Sequence, residues 1–380
     1  MKILFVCNRS PFTPDTGNAQ RTNVCLNAFI NNGHTVDVAN IGASAEPEPI
    51  SNSNVRVVLW NKTHIWKISK TEGRCVRLLI KAFNRSYELS TKIRDIIEAE
   101  NYDFIFCRYI ETTELAGLYK YTNRLLLDID DLPYKSYKVF FQESAIKKVY
   151  YWFKIKRLKK RTKWYINNCY KTFLPNKNEA SEKGSVYLPN ISTLQAEDVD
   201  YMENNHNVLF IGALSWPANY NGIDSFITHC WLKIKERVPD AALLIAGKGL
   251  PKSYEDKFSH YKDVKCLGFV ESLSGFYSKG NIVICPIYSG GGTNIKVAEA
   301  MSVGKACVIT SHAQRGYETI IIDDVNAKVV EDNNSFINSV VELLTNDSKC
   351  ESIAGKALTA SKVLLSQKSV DKIIGDCCKQ

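Results

Sequence analysis

Short apolar runs separated by polar, amphipathic stretches recur along this chain. Lys2–Cys7 holds an unbroken apolar run from Ile3 to Cys7. Such a run is too short for a helix and suits a strand covered on both faces. A loop with Pro11 and Pro14 follows. Gly17-Asn18 then opens a helix predicted to end near Asn31, with Val24, Leu26, Ala28, Phe29 and Ile30 on or near its buried side. Asn32-Gly33 supplies the stop, and Thr35–Asn40 reads as the next strand. The pattern predicts further strands at 55–59, 103–108, 124–129, 172–174 and 186–188, with helices near 73–84, 88–100 and 112–121.

A polar, acidic stretch at 191–206 interrupts the alternation, which then restarts. Strands are predicted at 208–211, 241–246, 264–267, 282–287, 306–310 and 327–330. Helices fall near 222–236, 272–278 and 334–344, one more opens near 293–294, and helical material runs to the end. Repeated strand–helix alternation implies parallel sheets with helices on both faces. The expected fold class is therefore α/β, with two doubly wound, Rossmann-like domains facing each other across a cleft. The expected boundaries are 1–190 for the first domain, 191–206 for the linker and 207–365 for the second domain, with 366–380 a helix able to pack back on the first. Ligands of such sheets sit off the carboxyl ends of the strands. Gly17, Asp130, Gly212, Gly247, Gly268 and Gly290 all lie at or just after such ends.

The length of 380 residues suits two domains. No stretch has eighteen uninterrupted apolar residues, so no membrane span is expected. The amino terminus runs straight into a strand and carries no A-x-A-like site, so no signal peptide is expected either. The 12 cysteines include no C-x-x-C pair, and several (Cys7, Cys107, Cys285, Cys307) lie inside apolar runs. They read as buried thiols in a reducing cytosol rather than as a zinc site. The net charge of +9 matters for its distribution: residues 147–163 hold nine Lys or Arg and no acid.

Candidate chemistry concentrates in residues 288–310. Gly290, Gly291 and Gly292 let backbone approach a ligand closely. Thr293 or Asn294 can cap the following helix, whose first N–H groups favour anions. Lys296 adds positive charge one turn in, and Glu299 shares its helical face. Amides and Lys296 suit phosphate, and Glu299 suits ribose hydroxyls. An ordinary βαβ turn also needs glycine for packing, but the offsets of Thr, Lys and Glu favour a nucleotide.

These residues resemble the GT-B glycosyltransferases, specifically the large GT4-like group of nucleotide-sugar-dependent retaining transferases typical of bacterial cell-envelope synthesis. The motif Gly-Gly-Gly-Thr-Asn-Ile-Lys-Val-Ala-Glu-Ala-Met at 290–301 carries most of the resemblance, with Gly304-Lys305 after it. Further landmarks occur in the expected order: the Gly-His turn at 33–34, the Pro-Asn turn at 189–190, 210–212 with Trp216-Pro217-Ala218-Asn219, Gly247-Lys248-Gly249, and Leu267-Gly268-Phe269-Val270. The resemblance implies sugar transfer from a nucleotide donor, UDP- or GDP-linked, to an acceptor hydroxyl, with retention and without metal or other cofactor. It implies a glycan or lipid-linked acceptor, cytoplasmic location, and a role in surface polysaccharide or glycoconjugate assembly. By position, Glu299 meets the ribose, and the amides of Gly291, Gly292 and Thr293 meet diphosphate or sugar. Backbone at Phe269 and Val270 meets the base, and Gly17 approaches the phosphates. Two departures stand out. Gly291 occupies the place of the earlier of two glutamates common in the family, and Gly212 is followed by no basic residue. Lys296, with Lys248 second, is expected to supply the missing charge.

On the acceptor side, Asp130 or Asp131 could orient or deprotonate a hydroxyl, or merely cap a turn. Arg108 could meet a phosphate or acceptor, or pair with Glu111; Asn18 is a further candidate contact. His312, with Arg315 and Gly316, could approach the donor. Trp152, Phe153, Ile155, Leu158, Trp164 and Tyr165 interleave with basic residues, so 147–165 suits an anionic membrane surface or a stripe packed on the first domain. Rival functions are a GT-B epimerase or phosphorylase, a sugar-nucleotide sensor, and nucleic-acid binding through the same helix. Nucleic acid is not the expected partner.

Overall fold

The structure is a computed structural model. It describes residues 1–14, 16–42, 47, 50, 52–61, 86–136, 145–201 and 205–379, with side chains left aside at 136 and 145–150. The helix expected near 73–84 lies outside the described residues.

The chain forms two compact units. One comprises Met1–Tyr134, Phe153–Pro189 and Gln367–Gln380; the other comprises Lys135–Trp152 and Asn190–Ser366. Among the described residues each contains one sheet, and every strand pairing in both sheets is parallel.

In the first unit the strands are β1 (Lys2–Cys7), β2 (Thr35–Asn40), β3 (Val55–Trp60), β4 (Phe104–Arg108), β5 (Leu125–Asp128), β6 (Lys171–Leu174) and β7 (Val186–Tyr187), in spatial order 3-2-1-4-5-6-7. Alternate residues of β1 face opposite layers. Leu4 and Val6 join Ile105, Cys107, Leu125 and Leu127 in one core with Ile93 and Ile97 of the helix Tyr87–Ala99. Phe5 points the other way, stacked on Phe106 at 4.8 Å, and Phe29 of the helix Gly17–Asn31 meets Phe106 at 5.2 Å. Both faces are thus covered, which explains the apolar continuity of the run.

One predicted helix is shorter than expected. The stretch 112–121 holds the end of the helix Ile110–Leu115 and the 3₁₀ turn Leu118–Lys120, with a second such turn, Thr122–Arg124, just beyond it. Gly117 takes φ +71°, a left-handed conformation that ends the helix.

In the second unit the strands are β8 (Asn207–Ile211), β9 (Ala242–Ala246), β10 (Val264–Gly268), β11 (Ile282–Cys285), β12 (Ala306–Thr310) and β13 (Lys328–Val330), in order 10-9-8-11-12-13. The chain reverses direction of propagation between β8 and β11, so their carboxyl ends flank the crevice where such sheets take ligands. A helix expected from Gly222 begins at Pro217. Proline fits the first helical turn because its missing N–H would have no partner there. The closing helix Gln367–Cys378 buries Val370 and Ile374 and packs on Gly17–Asn31. Gln367 Nε2 donates to Val24 O at 3.0 Å, and Asn32 Nδ2 donates to Asp371 O at 2.8 Å.

Candidate active site

The carboxyl ends of β8, β9 and β10 are stitched together by glycine. Gly212 N donates to Ala246 O at 3.1 Å, and Gly247 N donates to Gly268 O at 2.7 Å. A Cβ on Gly247 would stand 1.8 Å from Gly212 O, so no other residue fits that approach. Lys248 follows, with its ammonium 3.6 Å from the centre of the Phe269 ring. Phe269 itself is 46% exposed, and Val270 is partly buried.

Across the switch point, β11 leads into the triple glycine and the helix Ile295–Ser302. Gly290 has φ +125°, a conformation that glycine alone takes without strain. The expected side-chain cap is absent: Asn294 occupies the cap position but makes no capping bond. Asn294 Nδ2 donates instead to Ala313 O at 3.4 Å, and Thr293 Oγ1 accepts from Asn190 Nδ2. Among the described residues, the backbone N–H groups of Gly291, Gly292 and Thr293 bond no protein acceptor. Successive uncapped amides at a helix start form a concavity suited to an anion.

Lys296 is buried beside this concavity. Its ammonium lies 4.6 Å from the centre of the Phe210 ring and donates to Asn219 Oδ1 at 2.7 Å. A Cβ at Gly212 would come within 3.0 Å of Lys296 Nζ, so the bare glycine leaves that cation its room. Burial pushes the Lys296 pKa below the usual lysine value; nearby Cys285 and Glu299 only partly offset it. An incoming diphosphate would relieve that cost. Glu299 is also buried, and its Oε2 accepts from Tyr277 OH at 2.8 Å. Burial, reinforced by Glu299, raises the Tyr277 phenol well above its ordinary range, so Tyr277 stays a donor. Asn219 and Tyr277 were not singled out from the sequence as site residues; only their three-dimensional contacts with Lys296 and Glu299 mark them.

The first-unit candidates form a separate network. Asn18 is exposed and Gly17 partly buried at the start of their helix. Arg108 is fully buried. Its Nε donates to Asp128 at 2.9 Å and its Nη2 to Asp130 Oδ2 at 2.6 Å. Nη1 donates to Asn18 O at 2.6 Å and Thr22 Oγ1 at 2.7 Å, and Nη2 also reaches Tyr109 OH at 3.2 Å. All five guanidinium donors are therefore engaged by protein. Of the two readings of Arg108, contact with a phosphate or acceptor and pairing with Glu111, the structure shows neither: Arg108 pairs with two aspartates. Arg108 has no donor left for an acceptor molecule, because the network consumes them all.

Arg21 closes the same cluster, holding Asp128 at 2.7 and 2.9 Å and the carbonyls of Leu188 and Pro189 at 3.0 and 3.2 Å. Burial raises the Asp128 carboxyl, but Arg21 and Arg108 more than reverse this and hold it below its usual value. Asp130, with φ +60°, also accepts from Tyr109 OH at 2.9 Å. One of its oxygens is thus occupied by two donors, which favours an orienting role over a free base. Asp131 is partly buried beside it.

The basic helix spans Ala145–Asn168. Leu158, Thr162 and Tyr165 bury one face, and Arg161 pairs with Glu114. Trp152, Phe153 and Trp164 are exposed, as are Lys156, Arg157, Lys159, Lys160 and Lys163. Of the apolar residues interleaved with the basic ones, Leu158 and Tyr165 thus pack inward while Trp152, Phe153 and Trp164 face outward. Among the described residues no helix is long and apolar enough to cross a membrane, and no cluster of side chains suits a metal ion.

Comparison with known proteins agrees with this geometry. The family described as Glycosyl transferases group 1 matches residues 205–346. A protein of the Klebsiella pneumoniae cps region, described as an uncharacterized 44.6 kDa protein, is 24% identical over 334 residues, covering 84% of this chain and 85% of its own. Sucrose-phosphate synthase from Thermosynechococcus elongatus superposes with TM-score 0.71 at 13% identity, over 99% of this chain and 97% of that one. WaaG, a glycosyltransferase involved in lipopolysaccharide biosynthesis, gives TM-score 0.65 at 12% identity, over 99% of each chain. Anabaena HepE in complex with UDP-glucose gives 0.62 at 14% identity, over 99% and 98%. The structural likenesses carry the fold, and the match at 205–346 falls on the unit that holds the glycine loop. Residues 205–346 match the group 1 glycosyl transferases, and the chain has the two-sheet fold of the GT-B glycosyltransferases.

Proposed function

We propose that the protein transfers a sugar from a nucleoside-diphosphate sugar to an acceptor hydroxyl with retention of anomeric configuration. The observation that carries this reading is the set of unpartnered amides at Gly291, Gly292 and Thr293, beside the buried Lys296 and one turn before the buried Glu299. The loop suits the diphosphate, Lys296 offsets charge that develops on the leaving group, and Glu299 takes the ribose hydroxyls. Phe269 and Val270 border the base. Anabaena HepE, similar in fold, binds UDP and UDP-glucose, which supports a uridine donor with GDP-sugars next.

Chemistry in this reading depends on donor diphosphate and positioning, with Asp130 held as an orienting group in the first unit and Asp131 beside it. No metal or other cofactor is required. The cps-region relative and the likeness to WaaG support a role in surface polysaccharide or glycoconjugate assembly on a glycan or lipid-linked acceptor. The exposed aromatic and basic residues of Ala145–Asn168 suit peripheral binding at an anionic cytoplasmic leaflet. Co-sedimentation with anionic liposomes at low salt, weakening as salt rises, is the expected result; no binding at low salt removes the membrane from the reading.

The direct test of transfer is incubation with UDP-, GDP-, ADP- and CMP-sugars, with release of nucleoside diphosphate followed in the presence of candidate acceptor glycans. Release that needs an acceptor supports transfer. Binding without release in any acceptor would identify a sensor instead.

A further inference from the structure

Three consecutive glycines carry no side chain to fix their own conformation, so something outside the loop must shape it. The structure assigns that task to Arg315, which we infer to be a positioning residue for the donor diphosphate; this inference rests on the donor reading above. Arg315 Nη1 donates to Gly290 O at 2.8 Å and Nη2 donates to Gly291 O at 2.5 Å. Its planar fork therefore grips two successive carbonyls at once.

The consequence follows from peptide geometry. In a trans peptide the N–H points opposite to the C=O of the same unit. With the carbonyls of Gly290 and Gly291 drawn to Arg315, the N–H groups of Gly291 and Gly292 are aimed away from it. Two successive amides turned to one side are what an anion-binding nest requires. Those same amides bond no acceptor among the described residues.

Arg315 is itself well anchored. It sits on the turn after β12, where Ala313 N donates to Thr310 Oγ1 at 3.1 Å and Thr310 Oγ1 donates back to Ile287 O. The following Tyr317 is fully buried. Asn294 Nδ2 ties the far end of the loop to Ala313 O in the same turn. His312 Nε2 lies 3.5 Å from Arg315 Nη1. Burial first, and Arg315 second, lower the His312 pKa, so a neutral ring faces the guanidinium.

The test is calorimetric titration of UDP, UMP, GDP and GMP into the full-length wild type, Arg315→Lys and Arg315→Gln. The quantity read is the ratio of monophosphate to diphosphate Kd, which isolates the second phosphate. Arg315→Gln is expected to shrink that ratio about tenfold or more, since it loses the charged two-pronged grip. Arg315→Lys should lose part of it, because an ammonium lacks the fork. The monophosphate Kd should move by less than about threefold, as base and ribose are held elsewhere. An unchanged ratio overturns the inference. So does an equal loss of both nucleotides with a falling melting temperature, the signature of a purely structural role. Failure of the wild type to bind any of the four nucleotides would instead bring down the donor reading beneath it.

Discussion

Lys296 and Glu299 are one turn apart and both buried, yet they make opposite predictions for stability. Lys296 has a depressed pKa, so the folded state binds its proton less readily than the unfolded chain. That destabilisation is fully present below the depressed value and disappears as pH rises through the ordinary lysine range. Lys296→Met is therefore expected to keep or raise the melting temperature at pH 7 while losing about 100-fold or more in turnover, as for loss of a preorganised charge. A differential scan paired with steady-state rates measures both. Glu299→Ala leaves the buried Tyr277 hydroxyl without its acceptor, which costs about 1–3 kcal/mol, and weakens donor binding about tenfold or more. Tyr277→Phe separates the two effects: it should cost about 1 kcal/mol while keeping the Glu299 carboxylate available to ribose.

Asp128 shows the third pattern. It is buried between two guanidiniums with its pKa held low. Its contribution is present above the unfolded carboxyl value and is lost as pH falls through the folded one. Asp128→Asn removes the charge both arginines rely on and is expected to cost about 3–5 kcal/mol in denaturant titrations.

At the scale of elements, the glycine positions divide by mechanism. Gly247→Ala drives a methyl group into backbone, because Gly212 O lies 1.8 Å from the added Cβ. It should destabilise the second unit by more than about 2 kcal/mol. Gly290→Ala has room, with only Ala218 Cβ at 3.7 Å, but keeps a backbone at φ +125° that alanine resists. It is expected to lose donor affinity and to lower the melting temperature less than Gly247→Ala does, and a thermal scan beside a calorimetric titration distinguishes the two cases.

The strands were legible because a buried parallel sheet writes itself as continuous apolar runs. Lys2–Cys7, Thr35–Asn40 and Ala306–Thr310 fall where the pattern placed them. The glycine loop was legible because its offsets repeat a known motif. Helix ends were less so: Gly117 breaks a stretch whose composition reads as helix, and Pro217 starts one earlier than hydrophobic periodicity shows. The engagement of Arg108 by Asp128 and Asp130, and of Gly290 and Gly291 by Arg315, could not be read in advance. Those contacts join residues 20 to 25 positions apart, through strand ends that only the sheet order brings together.

For the molecule as a whole, the last helix belongs with the first unit although the preceding residues belong with the second. Removing 367–380 uncovers the face of Gly17–Asn31 that Val370 and Ile374 bury. Hydrogen exchange is expected to rise across the first sheet and to stay unchanged in β8–β13. The central claim is that the unit containing Gly290–Glu299 takes a nucleotide-sugar donor. Calorimetric titration of UDP-, GDP-, ADP- and CMP-sugars into wild type and Glu299→Ala tests it most directly. The account predicts saturable one-to-one binding of a UDP- or GDP-sugar, weakened about tenfold or more by the substitution. Binding of none of the four, or equal binding by Glu299→Ala, would contradict it.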